Sequence, residues 1–132
     1  MPAEGVDVFP RSSLLSFEEI ERVVRVFVAM GVTHIRLTGG EPLARKGVVK
    51  LIESLANIDG VLDLAMTTNG HLLKNQAEAL RSAGLMRLNV SLDTLDPSHF
   101  RSLTRGGDIR DVLAGLLAAQ RAGFSSIKLN SV

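Results

Sequence analysis

Residues 31–42 read Gly-Val-Thr-His-Ile-Arg-Leu-Thr-Gly-Gly-Glu-Pro, and they decide the fold. Gly31 closes a helix, residues 32–38 alternate as a strand does, and a double-glycine turn opens the next unit. Working outward on the N-terminal side, Ser16-Phe17-Glu18-Glu19 forms a capping box, with Ser16 as N-cap and Glu19 three positions on. Behind it Ile20, Val23, Val24, Phe27 and Val28 fall at helical spacing, which predicts one buried helix face. On the C-terminal side the same sequence of helix, glycine and strand recurs. A helix over 47–57 leads through Gly60 to a strand at 61–68, and a helix over 74–83 leads through Gly84 to a strand at 85–91. Asp96-Pro97 opens a short helix by cap and first-turn proline. Asp108 caps a longer one with Ile109, Val112, Leu113, Leu116 and Leu117 on one face, and Gly123 leads to a last strand at 124–130. Strands alternating with helices of this length require βαβ crossovers, so the fold class is α/β with a parallel sheet.

Counting from each glycine separates the two faces of that sheet. One, four and six residues on lie apolar side chains: Val32, Ile35 and Leu37 in the first strand, Phe124, Ile127 and Leu129 in the last. Five and seven residues on lie Arg36/Thr38, Ala65/Thr67, Asn89/Ser91 and Lys128/Asn130. A parallel sheet covered by helices on both sides is apolar on both faces. Here one face is polar in nearly every strand, which predicts parallel βα repeats forming part of a TIM-like (β/α) barrel rather than a doubly wound sheet. Its ligand site belongs at the C-terminal strand ends.

The 132 residues, 45% of them hydrophobic, suit one compact domain. Residues 1–15 lack periodicity and read as an extended lead-in, and 16–132 form the βα unit. Fifteen basic residues against fourteen acidic ones give a net charge of +1, and no Trp or Tyr is present. Neither nucleic acid nor a membrane surface is therefore the expected partner. With zero cysteines, these residues supply no disulfide, no thiolate zinc site and no ligand for an iron–sulfur cluster. No signal-peptide layout or bilayer-length apolar run occurs, so the expectation is a cytoplasmic protein.

Gly39-Gly40-Glu41-Pro42 frees backbone N–H groups for close approach to a ligand. Glu41 offers its carboxylate to an ammonium group; the plainer reading is a tight βα turn with a helix-capping acid. The spacing of a phosphate loop is absent. Arg36 and Lys128 occupy equivalent places on the polar face, and two interior cations facing one cavity suit an anion such as a phosphate chain. The competing expectation is that they pair with Glu41 or Asp93. Thr67, Thr68, Asn69 and Ser91 are short hydrogen-bonding side chains at strand ends, where turn and cap roles compete with ligand roles. His34, His71 and His99 show no ligand spacing, so no metal site is expected; His71 and His99 should face solvent, as should Arg45-Lys46. No Ser-His-Asp or paired-carboxylate arrangement marks a catalytic residue.

Residues 31–42, with Thr67-Thr68-Asn69-Gly70, Asn89-Val90-Ser91-Leu92-Asp93 and Lys128-Leu129-Asn130, resemble molybdenum cofactor biosynthesis protein A. That family comprises the GTP 3′,8-cyclases, lyases of the radical S-adenosylmethionine type. The resemblance implies that Gly39, Gly40 and Glu41 hold the methionine amino group of S-adenosylmethionine and that Ser91 contacts the same cofactor. It implies that Arg36, Thr67 and Lys128 bind GTP, the two cations reaching its phosphates. In such enzymes a [4Fe–4S] cluster cleaves the cofactor, and the 5′-deoxyadenosyl radical takes the ribose 3′ hydrogen of GTP.

The chain also departs from the family. A Cys-x3-Cys-x2-Cys loop holds the cluster in relatives, its third cysteine preceding the Met-Pro seen here as Met1-Pro2. Relatives also continue beyond the residue matching Val132. His34 stands where many have lysine, and Gly47 replaces an acid. The expectation is a central barrel segment, inactive alone for want of thiolates. A second reading is a half-barrel that binds nucleotides without chemistry and pairs with a second copy to cover its sheet edges. A third is a phosphate-binding α/β domain unrelated to radical chemistry.

Overall fold

The computed structural model describes residues 14–131, so the lead-in up to residue 13 lies outside the described residues. Helix α1 (Phe17–Ala29) starts at the expected capping box: Ser16 Oγ accepts from Glu19 N at 3.1 Å, and Glu19 Oε2 accepts from Ser16 N at 2.7 Å. Strand β1 (His34–Leu37) follows, then a 3-10 turn at Pro42–Ala44 and helix α2 (Val48–Ala56). Next come β2 (Asp63–Thr68), a 3-10 turn at Leu73–Asn75, α3 (Ala77–Ser82) and β3 (Arg87–Ser91). Helices α4 (Pro97–Leu103) and α5 (Ile109–Arg121), capped by Asp96 and Asp108, precede β4 (Ile127–Asn130). Among the described residues no helix is long and apolar enough to cross a membrane.

All three strand pairings are parallel, in the order β1-β2-β3-β4. Each strand is laid beside its predecessor, as in a barrel, with no reversal of the kind a doubly wound sheet contains. Leu64, Met66, Leu88 and Val90 are fully buried on one side of the sheet, in one core with Ile52, Leu55, Leu80 and Val112 from the helices. Each such side chain contributes roughly 1.5–3 kcal/mol by leaving water. The other side of the sheet carries the polar set, and His34, Arg36, Ser91 and Lys128 there are exposed.

The elements depart from expectation in four places. Strands begin two to three residues later than the glycine count implies, because the residues after each glycine still belong to the turn. The expected helix over 74–83 is broken at Gln76, whose φ of −124° is not helical and whose Nε2 donates to the Leu43 carbonyl at 3.1 Å. On α1, Val24 is buried but Val23 and Phe27 are exposed, since that helix borders α2 on one flank only and β1 is an edge strand. On α5, Ile109, Val112, Gly115 and Ala119 face inward while Leu113 and Leu117 are exposed, as is Leu129 on the other edge strand, β4. A Cβ on Gly115 would lie 2.8 Å from the Gly70 carbonyl oxygen. That close approach of helix to turn sets the rotation of α5.

The register supplies the main correction. Ile35 pairs with Leu64 and Leu88 with Ile127, as the glycine count predicts, but Met66 pairs with Leu88. Between β2 and β3 the alignment slips by two residues. A slip of two leaves every side chain on its own face, and stagger of this kind accompanies closure of a parallel sheet into a barrel.

Candidate functional site

The turn after β1 is built around Glu41. Gly39 has φ +141°, a conformation open to glycine, and a Cβ on Gly39 or Gly40 would meet nothing within 4 Å. The backbone here is therefore bare on its outer side. Glu41 is the N-cap of the 3-10 turn, its Oε1 accepting from Leu43 N at 2.9 Å. The same oxygen accepts from Thr68 Oγ1 at 2.7 Å, and Oε2 accepts from Asn69 N at 2.7 Å. Thr68, 2% exposed, in turn accepts from Gly70 N at 3.1 Å. Both readings of the acid thus meet in one residue. It caps a turn, as the plainer reading expects, and it also ties the end of β1 to the end of β2. A carboxylate has about four lone-pair positions, so one on Oε2 remains for a further donor such as an ammonium group.

Ser91 ends β3 and is exposed. Together with Asn69, Asp93, His71, Phe100 and Leu103 it lines a cavity of about 100 Å³. His71 is half-buried and tilted against the Phe100 ring at 5.8 Å, which corrects its expected solvent-facing position; His99 is exposed as expected. Arg45 is likewise half-buried, its guanidinium 4.4 Å from the Phe17 ring centre and donating to the Leu15 carbonyl. A larger depression of about 700 Å³ lies between α3 and α5, on the outer side of the fold and away from these strand ends.

Arg36, Thr67 and Lys128 share the polar face, and the register sets their heights. Arg36 aligns with Ala65 and, through it, with Arg87; Lys128 aligns with Asn89 and, through it, with Thr67. Arg36 therefore stands one row below Lys128, and the expected equivalence of their places holds for face but not for height. Their backbones are three strands, about 14 Å, apart, and neither lines the cavity beside Ser91. Among the described residues the side chains of Arg36, Thr67, Ser91 and Lys128 make no hydrogen bond or ion pair. Glu41 is committed to the turn and not to these cations, so that expected pairing does not form.

One pair on this face lies outside the residues expected to form the site. Arg87 and Asp63 form a two-pronged ion pair across β2 and β3, with Arg87 Nε 2.7 Å from Asp63 Oδ1. The hydrogen bonds from Arg87 hold the Asp63 carboxyl below its usual range, helped by the charges of Arg87, His34 and Arg36. The signal was present in the sequence, since Asp63 and Arg87 each stand three residues after their glycine; the slipped register sets Arg87 opposite Ala65, and its long side chain reaches back diagonally to Asp63. Among the described residues no group of three or more His, Asp or Glu side chains could hold a metal ion.

Comparison with known proteins bears on the same face. A sequence model of the Radical SAM superfamily matches residues 5–132. GTP 3′,8-cyclase 1 of Pseudomonas aeruginosa is 57% identical over 130 residues, which is 98% of this chain and 40% of that protein. The GTP 3′,8-cyclase of Thermodesulfovibrio yellowstonii is 52% identical over 133 residues, and that of Alkaliphilus metalliredigens 47% identical over 132; each match covers the whole chain and 41% of the relative. The chain spans about 40% of the length of these relatives.

Proposed function

The chain belongs to the Radical SAM superfamily, and from that premise we propose that it forms the part of a GTP 3′,8-cyclase barrel that holds S-adenosylmethionine beside GTP. The observation that carries this reading is the polar face on which the side chains of Arg36, Thr67, Ser91 and Lys128 make no hydrogen bond or ion pair among the described residues. Gly39, Gly40 and the remaining lone pair of Glu41 receive the amino group of S-adenosylmethionine, and Ser91 contacts the same molecule. Arg36 and Lys128 take the phosphates of GTP from two heights, with Thr67 beside the chain between them.

The residues present do not fit an iron–sulfur cluster. The sequence has no cysteine, and no side-chain group among the described residues replaces three thiolates. No chemical step is assigned to these residues; their part is binding and orientation, which hold two reactants at a fixed separation. The proposed setting is the cytoplasm. A second copy of the chain is the proposed cover for the edges of β1 and β4, which are unpaired among the described residues.

Calorimetric titration of the 132-residue chain tests the reading. S-adenosylmethionine and GTP are each expected to bind, with Glu41→Ala weakening the first and Arg36→Ala with Lys128→Ala weakening the second. GTP affinity unchanged in the double variant, or no binding of either ligand, overturns it. Under anaerobic reducing conditions with added iron and sulfide, no 5′-deoxyadenosine is expected above a protein-free control.

A further inference from the structure

The centre of the polar face is held by Asn89, a residue to which the preceding reading assigns no role. It sits on β3 between Thr67 of β2 and Lys128 of β4, aligned with both. The residue is 6% exposed, yet its side-chain amide has no hydrogen-bond partner among the described residues. No side-chain nitrogen or oxygen among them is sealed away unpaired, so the amide reaches the open face. A largely buried amide that opens onto this face with donors and acceptor unused is placed to pair with what the face binds.

The surroundings say what that partner is. About 4.8 Å to either side stand Thr67 and Lys128, and about 6.7 Å further along the same strand and face stands Ser91. Asn89 therefore lies between the residues assigned to the nucleotide and the residue assigned to the cofactor. A phosphate oxygen only accepts hydrogen bonds, and the neighbouring cations already serve it. A carboxamide both donates and accepts, which suits the sugar hydroxyls or the base edge of a nucleotide; beside the residues assigned to the phosphates, the adjoining group is the ribose. Resting on the proposed binding of GTP, we propose that Asn89 is a substrate-binding residue that hydrogen-bonds the ribose hydroxyls of the nucleotide and makes the site selective for ribonucleotides. A site built to bond a hydroxyl rejects an analogue lacking it, because its polar group is then left unpaired.

The test compares GTP with 2′,3′-dideoxy-GTP on the 132-residue chain by calorimetric titration. The wild type is expected to prefer GTP by roughly tenfold or more, and Asn89→Ala to bring the two within about threefold by weakening GTP alone. A preference that survives in Asn89→Ala, or a wild type that does not distinguish the two nucleotides, overturns the inference and leaves GTP binding standing. No GTP binding by the wild type overturns the nucleotide reading and this inference with it. Should Asn89→Ala fail to fold, the wild type still decides. The side-chain NH2 resonances of Asn89 are expected to shift on adding GTP and to stay in place on adding the dideoxy analogue, and equal shifts with both overturn the inference.

Discussion

Glu41 does two things with one carboxylate, and the structural share can be measured without any ligand. Replacing it by alanine strands the Leu43 and Asn69 amides and the Thr68 hydroxyl, three donors in or near buried structure. Urea unfolding of Glu41→Ala is expected to show a loss of about 2 kcal/mol or more. Glu41→Gln retains an acceptor and is expected to lose less. Asp63 offers a second test, through pH. Its folded-state pKa lies below the unfolded value, first because Arg87 hydrogen-bonds the carboxylate and then through the charge of Arg87. The resulting stability is complete above about pH 4 and is lost as pH falls through the folded value. Asp63→Asn is therefore expected to be less stable than wild type at pH 7 and to converge with it in acid. The difference should be small, since Arg87 is 41% exposed and water screens the pair. Equal stability at both pH values would remove the pair from the account. The sequence showed Glu41 as a candidate because a glycine pair and a proline framed it. It could not show that Thr68, 27 residues away, would fill one of its oxygens.

At the scale of elements, the glycines that end each helix are where local sequence and packing meet. Gly84 and Gly123 hold equivalent places, at φ +103° and +87°, and an alanine at either pays about 1–2 kcal/mol for the left-handed backbone. Only at Gly84 would the new Cβ strike a neighbour, lying 2.6 Å from the Ala56 Cβ, whereas at Gly123 nothing lies within 4 Å. Gly84→Ala is expected to destabilise the fold by about 1 kcal/mol or more beyond Gly123→Ala, measured by denaturant midpoints of the two variants. Helix starts were legible for a similar local reason: Ser16, Asp96 and Asp108 cap the helices where their spacing places them. The break at Gln76 was not legible, because its cause is a hydrogen bond to Leu43 in another βα unit.

At the scale of the whole molecule, the outer sides of β1 and β4 are unpaired among the described residues, and large apolar side chains are exposed on several elements. Among them are Val23 and Phe27 on α1, Leu113 and Leu117 on α5, and Leu129 on β4. Sedimentation of the chain is expected to show concentration-dependent association, and Phe27→Glu combined with Leu117→Glu to shift it toward monomer; association unaffected by both changes would place the contact elsewhere. The helical and strand periods, the helix caps and the recurring glycines determined that this is a parallel α/β chain with one polar sheet face. Those features act within a few residues of one another and need no partner from elsewhere. The heights of residues on that face were decided by the tertiary structure alone. The two-residue slip between β2 and β3 conserves every inward and outward position, so no pattern of polar and apolar residues records it. That slip lifts Lys128 above Arg36 and places Asn89 between Thr67 and Lys128.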